Sequence, residues 1–327
     1  MKRVIMNPFS PLPKSDKSHV RGWAQVWAKR LNADIADKHT DISGYDEIYI
    51  DHGVNFSGGL NLFGGFNDEV MSRIEQLIEC SDNFVKIYSL DYDMEGIDYA
   101  SQMEKRIGAK STSDRLTKSV IDACRSVFSG AETLTMYDLP LDKLILGDSH
   151  SVAYATSDQI IDRNNGKTLY SAIIKEPEWV ANKVTSEGKN IEHLTLCLGS
   201  IDIRFHLIRD GRPDATTFAE IYAEAVKALS DKLDIPISVC APVPVEFEDR
   251  RLPGTGKYEG ENFFGNRQER LDFTLKFIET LKLRGIGLVM PPKEWYEMDG
   301  EKYAKEIMEA ASSVHIAPKN YNSVIGW

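Results

Sequence analysis

Short apolar runs recur along this chain, and most are followed by a longer stretch of helical periodicity. Val4–Met6, Ile48–Ile50, Phe84–Tyr88, Lys143–Leu146, His193–Leu198, Ile237–Ala241 and Ile286–Met290 read as strands. Segments 18–31, 67–80, 96–107, 112–128, 178–187, 217–233, 266–284 and 301–312 read as helices. In the first of these, Val20, Trp23, Trp27 and Leu31 share one helical face. Strands alternating with helices predict an α/β fold with parallel sheets.

The length of 327 residues accommodates two domains. Ser129-Gly130-Ala131-Glu132 marks the expected boundary. Residues 1–132 then form a Rossmann-like accessory or substrate-recognition domain with three strands. Residues 133–327 form a second, doubly wound α/β domain.

An apolar fraction of 42% and a charged fraction of 27% are those of an ordinary globular protein. The net charge of −11 argues against nonspecific binding to nucleic acid or anionic membrane, while leaving room for a local basic groove. No apolar stretch approaches the ~18 residues of a membrane span. The start, Met1-Lys2-Arg3-Val4-Ile5-Met6-Asn7-Pro8, lacks the apolar core of a signal peptide. Cys80, Cys124, Cys197 and Cys240 are widely spaced without a CxxC pair, so neither a zinc site nor a disulfide framework is expected. The expectation is a cytoplasmic protein without metal or cofactor, acting on a small molecule; the oligomeric state stays open.

One run ends differently from the others. Leu144-Ile145-Leu146 stops abruptly in Gly147-Asp148-Ser149-His150. The glycine permits a tight turn, and a following helix would point its positive end at Ser149. Two later segments belong at strand tips with it: Gly199-Ser200-Ile201-Asp202-Ile203-Arg204-Phe205-His206, and Ser313-Val314-His315 near the end. Ligand sites in open α/β sheets lie outside the carboxyl ends of the strands. If the strand before Gly199 continues, Asp202, Arg204 and His206 share one face, suited to an anionic or polyhydroxylated group. A Gly-rich loop at 57–65 matches neither GxGxxG nor the Walker pattern and reads as a lid or connection.

The order of these blocks resembles the SGNH/GDSL hydrolase superfamily over residues 140–327. Gly-Ser-Ile-Asp-Ile-Arg-Phe-His resembles a Gly-x-Ile-Asp-x-Arg-x-His variant of its middle block. The resemblance implies a flavodoxin-like three-layer sandwich and a serine esterase. It implies Ser149 as nucleophile and His315 as general base. The oxyanion would be received by the backbone N–H of Ser149, a glycine (Gly166 or Gly199) and a side chain of the middle block. Asp148, His150, Arg204 and His206 would complete the substrate surroundings. The implied substrate is an acyl ester of a sugar or other polar metabolite.

Two departures stand out. Asp202 occupies the place of the family's Asn donor, and an ionised carboxylate repels an oxyanion. Ser312 stands three residues before His315, where the family has an Asp. A serine can orient an imidazole but cannot stabilise an imidazolium as a carboxylate does. Either a Ser149–His315 dyad operates, another carboxylate reaches in, or hydrolysis is lost. A two-domain transferase acting on a nucleotide-activated donor or modified nucleotide, and a catalytically silent binding protein, therefore stay open beside the esterase.

Overall fold

Leu144, Ile145 and Leu146 are consecutive in one strand and all fully buried. Side chains alternate faces along a strand, so helices must cover both faces of this sheet, as parallel sheets require. The structure is a computed structural model. It describes residues 1–6, 19–36, 40–51, 68–83, 85–90, 131–164, 166–185, 189–209, 211–244, 264–310 and 313–321. The chain divides into two compact units, Met1–Asp138 and Leu139–Trp327.

The first unit carries strands β1 (Arg3–Met6), β2 (Asp34–Ile35), β3 (Glu47–Asp51), β4 (Lys86–Leu90) and β5 (Glu132–Leu134). They form one parallel sheet in the order β2-β1-β3-β4-β5. Val4, Ile5, Ile48 and Ile50 are buried within it. Helices His19–Leu31 and Asp68–Asp82 match the periodic segments closely. Three strands were expected and five are found among the described residues. β2 is too short to stand out in sequence. β5 occupies the end of the expected linker, so the first sheet extends past residue 132. The expected helices at 96–107 and 112–128, and the Gly-rich loop at 57–65, lie outside the described residues.

The second unit carries β6 (Lys143–Gly147), β7 (Gln159–Arg163), β8 (His193–Cys197), β9 (Ile237–Cys240) and β10 (Gly287–Val289). All pair in parallel, in the order β10-β9-β8-β6-β7. Read from β6, this is the flavodoxin-like order 2-1-3-4-5, with its topological switch between β6 and β8. β7 was missed in sequence because Asp162 and Arg163 interrupt its apolar character. Both are nevertheless buried, with Lys183 Nζ at 3.3 Å from Asp162 Oδ2.

Helices Pro177–Thr185, Ala215–Leu233 and Arg267–Leu283 fall where periodicity placed them. The last two pack through Phe218, Tyr222 and Phe277, with the Tyr222 and Phe277 rings stacked at 6.0 Å. The expected helix at 301–312 is shorter, ending at Glu306. Ile307–Glu309 instead pairs antiparallel with 315–317, through the bridge Met308–Ile316. Among the described residues, no helix is long and apolar enough to cross a membrane.

Candidate active site

The carboxyl tip of β6 is built by close backbone approach. Asp148 N–H donates to the Cys197 carbonyl of β8 at 3.0 Å, and Asn164 N–H donates to the Gly147 carbonyl at 2.7 Å. A Cβ at Gly147 would lie 2.2 Å from the Cys197 carbonyl oxygen. Only glycine lets β6 meet β8 this closely.

Beyond Gly147 the chain turns on Asp148. Its carboxylate is buried, and Oδ1 accepts from the His150 N–H at 2.9 Å. Its carbonyl accepts from Ser151 Oγ at 2.8 Å and Ser151 N–H at 3.1 Å. Burial works to raise the Asp148 pKa, but the His150 ring and amide and the Arg204 charge outweigh it and hold the carboxyl below its usual range. Arg204 is itself buried.

Ser149 sits half-buried at the apex of this turn. The helix that follows, Ser151–Tyr154, is a single turn with His150 at its N-cap position. The expected helix after Ser149 is only one turn long, because Ala155 is already extended. One turn carries little macrodipole.

His150 joins this turn to the last block. Its Nδ1 lies 3.0 Å from Asp148 Oδ1, and its Nε2 lies 2.8 Å from the Val314 carbonyl oxygen. The next residue is His315, whose ring centre lies 5.9 Å from that of His150. Thus Asp148, His150 and His315, three residues expected at the site from sequence, come together. The Ser149 hydroxyl makes no hydrogen bond to His315 among the described residues.

Glu309 is the residue that sequence reasoning missed. Its Oε1 lies 3.3 Å from His315 Nδ1 and accepts from Ser313 Oγ at 2.5 Å. Ser313 Oγ in turn accepts from the His315 N–H at 3.0 Å. The antiparallel register places Glu309 opposite His315, with Glu309 N–H donating to the His315 carbonyl at 3.0 Å. The usual family spacing pointed to Ser312, which lies outside the described residues. The available signal was the pair Ile307-Met308 and the alternating Val314 and Ile316, bracketing the small residues Ala310-Ala311-Ser312-Ser313. That pattern suits two short strand-like pieces better than a continuing helix.

The middle block departs from expectation. It is helical from Ser200, first as Ser200–Asp202 and then as the wide π-helical stretch Ile203–Leu207. Asp202, Arg204 and His206 therefore do not share a strand face. Gly199, with φ of +112°, turns the chain from β8 into this helix. A left-handed conformation of that kind is natural only to glycine. One turn later, Asp202 Oδ2 and Oδ1 accept from the backbone N–H groups of Leu169 and Tyr170, at 2.7 and 3.0 Å. Both oxygens accept from backbone amides, in keeping with the expectation that an ionised Asp202 does not replace the family's Asn donor. Burial pushes its pKa up to about 6; the two amides oppose that rise and nearby Asp148 adds to it.

Gly166, with φ of +77°, is exposed in the turn after β7. His206 faces a neighbouring cavity instead of the Asp148–His150 cluster.

No family model matches the chain, and no curated protein matches it. Among solved structures, it is similar to the crystal structure of an acetyl xylan esterase, AlAXEase. The identity is 13% and the TM-score 0.35, over 55% of this chain and 93% of that one. A second solved structure matches at 12% identity and a TM-score of 0.31, over 56% of this chain and 93% of its own.

Proposed function

We propose that the second unit is a serine acyl hydrolase of SGNH type, acting on an acyl ester of a sugar or other polar metabolite. The observation that carries this reading is the Glu309 Oε1 contact at 3.3 Å from His315 Nδ1. A carboxylate on Nδ1 orients the ring and leaves Nε2 to take a proton. It answers the absence of an acid three residues before His315.

In this reading Ser149 Oγ attacks the ester carbonyl carbon while His315 Nε2 takes the hydroxyl proton. Glu309 stabilises the resulting imidazolium. The tetrahedral oxyanion is received by the backbone N–H of Ser149, with Gly199 or Gly166 as the second donor. Collapse expels the alcohol, which takes the proton from His315. A water, deprotonated by the same ring, then releases the acid from Ser149. Asp202 has a positioning role: it fixes the Leu169–Tyr170 backbone beside Gly199.

The reading is tested with a chromogenic acetyl ester and a fluorophosphonate probe on wild type and Ser149→Ala. Turnover and labelling in wild type, both lost in the variant, support it. No turnover across a broad ester panel, together with no labelling of Ser149, would overturn it. A second reading, a silent scaffold that binds without turnover, is favoured by one observation: Asp202 cannot supply the missing side-chain donor. Ligand binding without turnover in wild type would select it.

A further inference from the structure

The second unit has a cavity of about 310 Å³ whose lining includes Asp202 and His206 but neither Ser149 nor His315. That volume is at the small end of ligand-binding cavities, which are apolar with a few placed polar groups. Its walls are Ile174, Leu207, Phe218 and Ile221, and Tyr170 stands with Ile221 at its edge. Tyr170 is 52% exposed and Ile221 43% exposed, a large apolar surface left in contact with water.

Thr168, His206 and Arg212 line the cavity together with Asp202, whose carboxylate accepts from the Leu169 and Tyr170 amides. The His206 pKa is lowered, first by burial and then by the charges of Arg209 and Arg212. Arg209 and Arg212 both lie close enough to His206 to act on its charge, in a chain whose net charge is −11. Arg209 is stacked over the Phe264 ring at 3.7 Å, which leaves Arg212 as the arginine lining the cavity. Both π-helical stretches, Tyr170–Lys175 and Ile203–Leu207, contribute walls. Such widened turns cost regular hydrogen bonding and recur at functional sites.

We propose that this cavity binds a small amphipathic anion, a carboxylate with an apolar or aromatic body, seated with its charged end on Arg212 and His206 and its body against Ile174, Phe218 and Ile221. Guanidinium–carboxylate contact supplies the selection for charge, and the apolar walls supply the selection against acetate-sized anions. The site does not depend on Ser149 being a nucleophile.

The test uses the full chain, with octanoate as probe and octan-1-ol and acetate as comparators, read by calorimetry and by amide shifts in NMR. Octanoate is expected to bind saturably with Kd below ~1 mM, at least ~10-fold tighter than either comparator. Shifts should centre on Tyr170, Ile174 and Ile221. Arg212→Gln and Ile221→Asp, both at exposed positions, should keep the fold and weaken binding by about 10-fold each. Ser149→Ala should bind as wild type. The proposal is overturned if octanoate shows no saturable binding, if octan-1-ol binds equally, or if Arg212→Gln binds as wild type. Loss of binding in Ser149→Ala would also overturn it, since the acid would then be occupying the hydrolase site.

Discussion

Two carboxylates near the tip of β6 have opposite titration behaviour, and each is testable. Asp202 has its folded pKa raised, to about 6. Its protonated form is favoured by the fold, so its contribution to stability is full below the ordinary carboxylate range and lost as pH rises through about 6. Asp148 is lowered, so its contribution is present above that range and lost on acidification. NMR titration should show the Leu169 and Tyr170 amides moving together with a midpoint near 6. A midpoint near the unperturbed value of about 4 would refute the role of burial. Asp202→Asn should flatten the fall in stability between pH ~4 and ~6 measured by denaturant titration. At Glu309, replacement by Gln keeps the shape and removes the charge that faces His315. Turnover of the chromogenic ester should drop by about 10²–10⁴-fold with KM little changed. Wild-type turnover in Glu309→Gln would remove Glu309 from the proposed mechanism. The residue types at these positions are plain in the sequence. The Glu309–His315 partnership is not, because only a change of direction after Glu306 brings them face to face.

Among the elements, β6 of the second sheet is tightly constrained at its carboxyl tip. Gly147→Ala would drive a methyl into the Cys197 carbonyl of β8, and the neighbour is backbone, which cannot rotate away. We expect a loss of about 3 kcal/mol, the upper end for overpacking, measured by chemical denaturation. On helix Arg267–Leu283, Asn266 closes a reciprocal capping box with Glu269. Asn266→Ala should cost about 1 kcal/mol of stability. Ester turnover should be unchanged, and a matching loss of activity would show that this helix reaches the site. Long helices were legible because their periodicity runs over several turns. The middle block was not, since an alternating Asp-Ile-Arg-Phe-His spacing suits a strand and an amphipathic helix almost equally over so few residues. Gly199 at φ +112° decided it by turning the chain out of the sheet.

The molecule as a whole is two five-stranded parallel sheets, among the described residues, in the same 2-1-3-4-5 order. Each sheet closes on strands of its own unit. A fragment starting at Leu139 should therefore fold by itself. It should unfold cooperatively in denaturant and keep whatever ester turnover and octanoate binding the full chain shows. A fragment without a cooperative transition would mean that the first unit is needed to complete the second.

By itself the sequence determined the α/β class, the strand–helix alternation and three polar segments placed at strand ends. Those are local properties: apolar period, turn-permitting glycine, and the presence of Ser, His, Asp and Arg. The tertiary structure alone decided that Asp202 is tied to backbone amides, that Asp148 and His150 brace the turn carrying Ser149, and that Glu309 faces His315. Each is a contact between residues whose meeting depends on strand order and chain reversal. Hydrogen bonds and buried charges act over a few ångströms of space, and the sequence records only distance along the chain.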